Sequence, residues 1–89
     1  MEKVDVIVAT YKTNITYLKK QIDSILNQTH TEINVLISDD NSQDDELKNV
    51  LKQYEKMDNR VKVFFQEENI GYINNFNFLL EKSTSNYIC

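Results

Sequence analysis

The 89-residue chain is long enough for one small domain and carries a net charge of −4, with 40% apolar and 27% charged residues. An acidic chain with scattered lysines offers no basic patch for nucleic acid or anionic lipid, and no apolar run approaches the ~20 residues that a membrane span needs. A single cysteine, Cys89, builds neither a disulfide within the chain nor a thiolate metal site. No secretory signal is visible, and both features favour a reducing, cytoplasmic location.

Short apolar strands alternate with amphipathic helices along the chain. The strands are rich in β-branched residues and nearly continuous in apolar character, which is typical of strands covered on both faces. The helices repeat apolar residues at steps of three or four. In chain order, the sequence predicts strands at 4–9, 33–38, 61–65 and 87–89. The predicted helices are at 15–26, ended by a turn at 27–31, from the capping segment at 42 to about 57, and from about 73 to an end near 83–85.

The ends and faces of the helices are also predicted. Asn14 is a plausible N-cap for the first helix, and Ser42-Gln43-Asp44-Asp45 has the spacing of a capping box that would make Ser42 the N-cap of the second. On the third helix, one face is expected to pack in the core and the polar residues to face solvent. The core-facing residues would be Ile73, Phe76, Leu79 and Leu80, and the solvent-facing ones Asn74, Asn75 and Asn77, unless a ligand reaches these asparagines.

The strand–helix alternation predicts an α/β fold, Rossmann-like, with a parallel sheet. Right-handed crossovers would place the first two helices on one face, and the third helix on the other if the chain reverses direction of travel across the sheet. The strand order would then be 3-2-1-4, which rests equally on the family resemblance described below. No linker-like composition interrupts residues 1–89, so a single unit is expected.

The second strand runs directly into two carboxylates, Asp39 and Asp40. In an open parallel sheet, ligands bind beyond the carboxyl ends of the strands, and the predicted order places Thr10 and Tyr11 beside this acidic pair. Successive strand residues point to opposite sides, so one carboxylate is expected to face a ligand and the other to bond the loop backbone or the second helix. A carboxylate can accept the N–H of a pyrimidine ring while a tyrosine packs against its face.

Other readings of the acidic pair differ in how well they fit. A dinucleotide site and a phosphate-binding P-loop both need glycine in the first strand–helix turn, which here is Tyr11-Lys12-Thr13-Asn14. A calcium loop counted from Asp39 would need glycine and glutamate where Asp44 and Val50 stand. A solvated turn rich in capping residues remains the alternative to a nucleoside site.

Five short segments, at 4–11, 24–29, 35–42, 69–76 and 86–88, follow one another in the order and spacing of a known enzyme family. In these segments the chain resembles the N-terminal half of inverting family-2 glycosyltransferases with the GT-A nucleotide-sugar fold, above all bacterial rhamnosyltransferase-like enzymes. Each segment is weak alone, and together they are specific. Two positions depart from the common pattern, because Ala9 stands where many members have proline and Asn41 where many have glycine.

The resemblance implies that residues 1–89 are a single partial domain, the nucleotide-binding half of a glycosyltransferase catalytic domain. The parent enzyme would move a sugar, rhamnose among the candidates, from a UDP- or dTDP-sugar to a glycan or polysaccharide acceptor in cell-envelope or capsule synthesis. It would act in the cytoplasm or at the inner face of the membrane. The implied nucleotide-binding residues are Thr10, Tyr11, Asp39, Asp40, Asn69 and Gly71, with Asp40 on the ring N–H.

The same resemblance implies that the remaining functional groups lie beyond Cys89. These are the Asp-x-Asp motif that holds Mg²⁺ or Mn²⁺ on the donor diphosphate, the catalytic base and the acceptor half. The 89 residues alone are therefore expected to be inactive and to bind no metal. The open sheet edge beside the first strand would favour self-association. The competing hypothesis is a non-catalytic interaction or receiver-like module, although receivers carry their acidic cluster after the first strand.

Overall fold

The computed structural model describes residues 3–27, 32–82 and 87–88. Within them, a parallel sheet of four strands carries helices on both faces, which confirms the predicted α/β fold. The predicted turn at 28–31, the end of the third helix at 83–85 and Cys89 lie outside the described residues. The elements are β1 (Lys3–Thr10), α1 (Ile15–Leu26), β2 (Glu32–Asp39), α2 (Asp45–Met57), β3 (Val61–Phe65), α3 (Tyr72–Lys82) and β4 (Tyr87–Ile88).

The sheet has the order β3-β2-β1-β4, the order expected from the sequence. β1 pairs with β2 along its whole length, and with β4 through Val4 and Asp5. Because all the pairings are parallel, the carboxyl ends of β1, β2 and β3 meet at one rim of the sheet. There, Thr10 pairs with Asp39, and Asp39 pairs in turn with Phe65.

The core lies in two layers, one on each face of the sheet, because alternate residues of each strand point to opposite sides. α1 and α2 cover one face together, and α3 covers the other, as expected. On the α3 side, Ile7 and Leu36 pack with Leu79, next to an edge-to-face contact between the Phe64 and Phe78 rings at 5.3 Å. The larger layer consists of Leu18, Ile22, Ile33, Val35, Ile37, Leu47, Leu51 and Val61.

The predicted start of α2 at Ser42 is wrong. The N-cap is Asp44, whose side chain accepts an N–H from the first turn, and the helix begins at Asp45. Ser42 is buried and its hydroxyl donates to a carboxylate at the end of β2. Its neighbours Asn41 and Gln43 have φ of +54° and +55°, a left-handed conformation that does not start a right-handed helix.

The predicted core-facing stripe of α3 is also wrong in part. Leu79 is buried, but Ile73 is 73% exposed, and Phe76 and Leu80 are each 37% exposed. Asn75, expected at the helix surface, is only 2% exposed, because its amide group donates to a carbonyl oxygen of β2 at 2.8 Å. The face of α3 that packs on the sheet therefore contains Asn75 together with Phe78 and Leu79.

A side-chain hydrogen bond joins the two helices on the larger core layer. The Tyr54 hydroxyl of α2 donates to the Asp23 carboxylate of α1 at 2.8 Å. Burial, reinforced by this hydrogen bond and by the negative charge of Asp23, raises the pKa of Tyr54 from 10.0 to about 12. The folded protein therefore holds a proton that the unfolded chain releases at a lower pH.

Replacing Leu51 with alanine is expected to lower the free energy of unfolding by about 2–5 kcal/mol, since Leu51 is fully buried and the change leaves a cavity. Urea denaturation followed by circular dichroism measures this loss. Met57→Ala on the same helix is the control, because Met57 is 80% exposed; its effect should stay within about 0.5 kcal/mol. Equal losses in the two variants would contradict the described packing of α2.

The Tyr54 contact predicts a loss of stability at high pH. The stabilisation from its raised pKa is fully present below pH 10.0, and it disappears as the pH rises through about 12. The wild type should be more stable than Tyr54→Phe below pH 10.0, and this difference in stability should shrink as the pH rises to about 12, as measured by thermal unfolding. A difference that stays constant across this range would show that Tyr54 has the same pKa in the folded and unfolded states.

Candidate functional site

A pocket of about 370 Å³ opens at the rim where the strand ends meet the start of α3. Five of the six residues that the sequence assigned to nucleotide binding line it, and Asp39 is the exception. Two aromatic rings, one carboxylate and small residues make up most of its wall. The lining residues are Ala9, Thr10, Tyr11, Asp40, Asn69, Gly71, Tyr72 and Asn75.

Asp39 ties the end of β1 to the turn that follows β2. Its Oδ1 accepts the Thr10 hydroxyl at 2.8 Å and the Ser42 hydroxyl at 2.6 Å, and its Oδ2 accepts the Ser42 backbone N–H at 2.9 Å. The Ser42 hydroxyl oxygen in turn accepts the Lys12 N–H at 2.6 Å. Asp39 is therefore the carboxylate that bonds the loop, one of the two roles that the alternation of the strand predicts.

Asp40 ties the same rim to the loop before α3. Its backbone N–H donates to the Thr10 carbonyl oxygen at 2.8 Å. Its Oδ1 accepts the Ile70 N–H at 2.7 Å and its Oδ2 accepts the Gly71 N–H at 3.0 Å, while Asn69 Nδ2 donates to its carbonyl oxygen at 2.5 Å. A carboxylate at the N-terminal end of a helix is stabilised by the free N–H groups and the helix dipole. Asp40 thus positions α3 and also forms part of the pocket wall.

Gly71 has a backbone conformation that suits its place in this loop. Its φ is +87°, in the region that residues with a side chain rarely adopt. In this conformation its N–H reaches Asp40, and its carbonyl oxygen accepts the Asn75 N–H at 2.9 Å in the first turn of α3. The loop and the helix are therefore held by the same residue.

The charge of the pocket wall restricts what can bind there. Asp40 is the single charged residue among those that line it, and no lysine or arginine is among them. Tyr11 and Tyr72 are 49% and 74% exposed, and the Lys12 ammonium lies over the Tyr11 ring at 5.3 Å from its centre. A neutral aromatic ring that donates hydrogen bonds fits such a wall better than a phosphate group does.

Asn75, Tyr72 and Ala9 line the pocket although the sequence did not assign them to it. Asn75 Nδ2 donates to the Ser38 carbonyl oxygen at 2.8 Å, whereas its Oδ1 is buried with no hydrogen-bond partner among the described residues. The sequence placed Asn75 at the helix surface unless a ligand reaches it, in keeping with the usual preference of asparagine for exposed positions.

Neither a metal centre nor a membrane span is found in the part of the chain that the structure describes. No group of three or more His, Cys, Asp or Glu residues there is placed to hold a metal ion. Within the same residues, no helix combines the length and the apolar character that crossing a bilayer demands.

The sequence model of glycosyl transferase family 2 matches residues 5–89. A putative teichuronic acid biosynthesis glycosyltransferase, TuaG, of Bacillus subtilis is 35% identical to the chain over 85 residues, which are 96% of this chain and 33% of the relative. The GalNAc(5)-diNAcBac-PP-undecaprenol beta-1,3-glucosyltransferase of Campylobacter jejuni is 40% identical over 67 residues, which are 75% of this chain and 21% of the relative.

A solved structure shares the fold. The mannosyltransferase PcManGT from Pyrobaculum calidifontis, in complex with GDP-Man and Mn²⁺, superimposes with a TM-score of 0.81 at 20% sequence identity. The alignment covers 96% of this chain and 25% of that protein. The chain thus spans a third or less of the length of these relatives.

Removing the Asp39 carboxylate is expected to destabilise the rim. Asp39→Ala leaves the Thr10 hydroxyl and the Ser42 N–H without their buried acceptor, at a cost of about 2–4 kcal/mol in the free energy of unfolding. Chemical denaturation measures it, with Glu68→Ala as the control because Glu68 is an exposed acid in the loop before α3. A loss no larger than that of the control would contradict the structural role of Asp39.

Proposed function

Because this chain belongs to glycosyl transferase family 2, we propose that it forms the nucleotide-binding N-terminal part of a longer inverting glycosyltransferase. In this proposal residues 1–89 are one partial domain, and the catalytic base, the metal ligands and the acceptor half follow Cys89. The observation that supports it most is the pocket at the rim, where Thr10, Tyr11 and Asp40 from two strand ends meet Asn69 and Gly71.

The pocket takes the nucleoside, and the diphosphate points out of it. The exposed Tyr11 ring packs against the face of the base, and Asp40 lies on the side of its hydrogen-bonding edge. Thr10 and Asp39 hold the strand end in place, while Asn69 and Gly71 close the wall from the other side. Since the lining contains no cation, the phosphates must find their positive partners elsewhere.

The donor is a UDP- or dTDP-sugar, with rhamnose among the candidate sugars, and the acceptor is a glycan or polysaccharide of the cell envelope. Two names among the relatives support this class, namely teichuronic acid biosynthesis and undecaprenol-linked glucosyl transfer. The structural neighbour holds GDP-mannose, so a guanine nucleotide is the comparison that the test must include.

The reaction is an attack of an acceptor hydroxyl on the anomeric carbon of the donor. The new glycosidic bond forms as the bond to the nucleoside diphosphate breaks, and a general base takes the hydroxyl proton. A divalent cation, Mg²⁺ or Mn²⁺, supplies charge neutralisation for the departing diphosphate, in keeping with the Mn²⁺ of the structural neighbour. The described residues contribute the binding and orientation of the nucleoside, because they contain no cluster fit for the metal.

Two further features belong to the same proposal. The enzyme acts in the cytoplasm, where nucleotide sugars are available, or at the inner face of the membrane. Among the described residues β1 pairs with β4 only through Val4 and Asp5. An open remainder of this edge would favour self-association of the isolated chain.

Calorimetry on the full-length protein, with UDP or dTDP and manganese, tests the proposal. We expect binding of a pyrimidine nucleotide, and Asp40→Ala should weaken it tenfold or more, because a charge-assisted contact and the wall of the pocket are both lost. Asp45→Ala is the control, since Asp45 is exposed at the start of α2, and it should change the affinity less than twofold.

Three outcomes would count against parts of this proposal. Equal affinities in the Asp40 and Asp45 variants would remove Asp40 from the site. Binding of GDP in preference to UDP and dTDP would overturn the pyrimidine assignment and leave the nucleotide pocket in place. A full-length protein that binds no nucleotide would support the non-catalytic alternative.

A further inference from the structure

Helix α3 carries a second apolar face, which is open to solvent. Its first face packs on the sheet through Leu79 and Phe78. The second face is an apolar stripe along the outside of the helix, because its members are spaced by three, four and seven residues. These residues, called the outer stripe from here on, are Tyr72, Ile73, Phe76 and Leu80, and all four are exposed. A contiguous exposed apolar patch is typical of a surface that meets a partner.

The outer stripe points toward the β4 end of the sheet. Phe78 packs edge-to-face on Phe64 of β3, so this side of α3 faces the β3 end. Each helical residue is rotated by about 100° from the one before it, and Phe76 and Leu80 therefore point about 200° away from Phe78. Since β3 and β4 are the two outer strands, the stripe faces the β4 end and the solvent beyond it.

A side chain closes the opposite edge of the sheet. The Val63 N–H of β3 donates to Glu55 Oε2 of α2 at 2.6 Å. The backbones of Arg60 and Gln66 bond β2, and because alternate residues of a strand face alternate neighbours, Val63 faces the outer edge. A strand added beside β3 would have to displace the Glu55 carboxylate, and a charged group on an edge strand opposes such pairing. Growth of the sheet is therefore favoured past β4.

The handedness of strand connections decides on which face the chain continues. α3 joins β3 to β4, and this connection crosses the sheet from the β3 end to the β4 end. A right-handed connection that continues in the same direction, from β4 to a further parallel strand, lies on the same face as α3. Such a segment would meet the outer stripe, because the stripe faces that end of the sheet.

We propose that the outer stripe is an internal docking surface, on which the segment that follows Cys89 in the full-length protein packs its own apolar residues. The inference rests on the proposed function, in which residues 1–89 are the N-terminal part of a longer enzyme. It also rests on the length of the relatives, of which this chain spans a third or less. Tyr72 belongs both to the stripe and to the pocket wall, so the docked segment lies beside the pocket.

An acidic substitution in the full-length protein tests the inference, with Tyr17→Asp as the matched control for Ile73→Asp. Both residues are exposed and lie in the first turn of a helix, where the helix dipole favours an acid. Ile73→Asp should lower the midpoint of thermal unfolding by about 5 °C or more, because it places a charge in a covered apolar surface. Tyr17→Asp should lower it by less than about 2 °C. Equal shifts would overturn the inference.

Thiol labelling covers the case in which Ile73→Asp does not fold. Ile73→Cys and Tyr17→Cys of the native full-length protein are treated with a maleimide, and mass spectrometry locates the label. Ile73→Cys should react at least about tenfold more slowly, because a docked segment must open before the reagent enters. Equal rates would contradict the docking. Slow labelling that becomes fast on dilution would show that a second copy covers the stripe, and would overturn the internal assignment.

Calorimetry with UDP and manganese on the full-length protein separates this inference from the proposed function. Nucleotide binding by a protein whose Ile73→Cys variant reacts freely would overturn the inference and leave the proposed function in place. A protected Ile73→Cys in a protein that binds no nucleotide would support the docking surface and count against the nucleotide pocket.

Discussion

The rim of the sheet depends on the hydrogen bonds of Asp40. Its backbone N–H donates to the end of β1, and its two carboxylate oxygens accept N–H groups from the loop before α3. Hydrogen bonds to an ionised group are roughly twice as strong as neutral ones, and here both donors are backbone N–H groups with no flexible side chain to order. One side chain thus brings together parts of the chain that are 30 residues apart.

The two neighbouring acids bind different segments of the chain because they point to opposite sides of a strand end. Asp39 faces the turn after β2 and satisfies the hydroxyls of Thr10 and Ser42, whereas Asp40 faces α3 and the pocket. Both carboxylates are buried, and each accepts at least two hydrogen bonds from the chain around it. The pocket is consequently a rigid, weakly acidic wall beside two exposed tyrosine rings, which suits a nucleobase better than a phosphate.

The sequence predicted those features that local patterns determine. The bounds of β3 and the start of α1 after Asn14 follow from apolar period and capping chemistry, and the structure has both. The placement of two helices on one face follows from the handedness of the crossovers, and the structure has it too. Ser42 is not the N-cap that the spacing predicts, because its hydroxyl donates to the buried carboxylate at the end of β2. Asn75 is buried rather than exposed, because its amide donates to a strand carbonyl oxygen, and Ile73 on the same helix is exposed.

The two failures differ in range, because the acceptor of the Ser42 hydroxyl is three residues away, whereas the acceptor of the Asn75 amide is distant in sequence. Capping statistics and apolar periodicity describe neighbours within a few residues, and they carry no information on an acceptor 37 positions away. Of the predicted pocket residues, Thr10, Tyr11 and Asp40 follow strand ends that the topology brings together, whereas Asn69 and Gly71 were implied by the family resemblance. Local chemistry and topology therefore predict where the pocket lies, and long-range hydrogen bonds decide which side chains face into it.

We propose that this rim receives the nucleoside of a sugar donor, with the base ring stacked on Tyr11 and its hydrogen-bonding edge turned toward Asp40. The decisive experiment is a crystal structure of the full-length protein with UDP and manganese. We expect the uracil ring inside the pocket and in contact with the Tyr11 ring, with the contacts of Asp40 to Ile70 and Gly71 intact. A uracil bound elsewhere on the protein, or one that displaces the loop from Asp40, would contradict it.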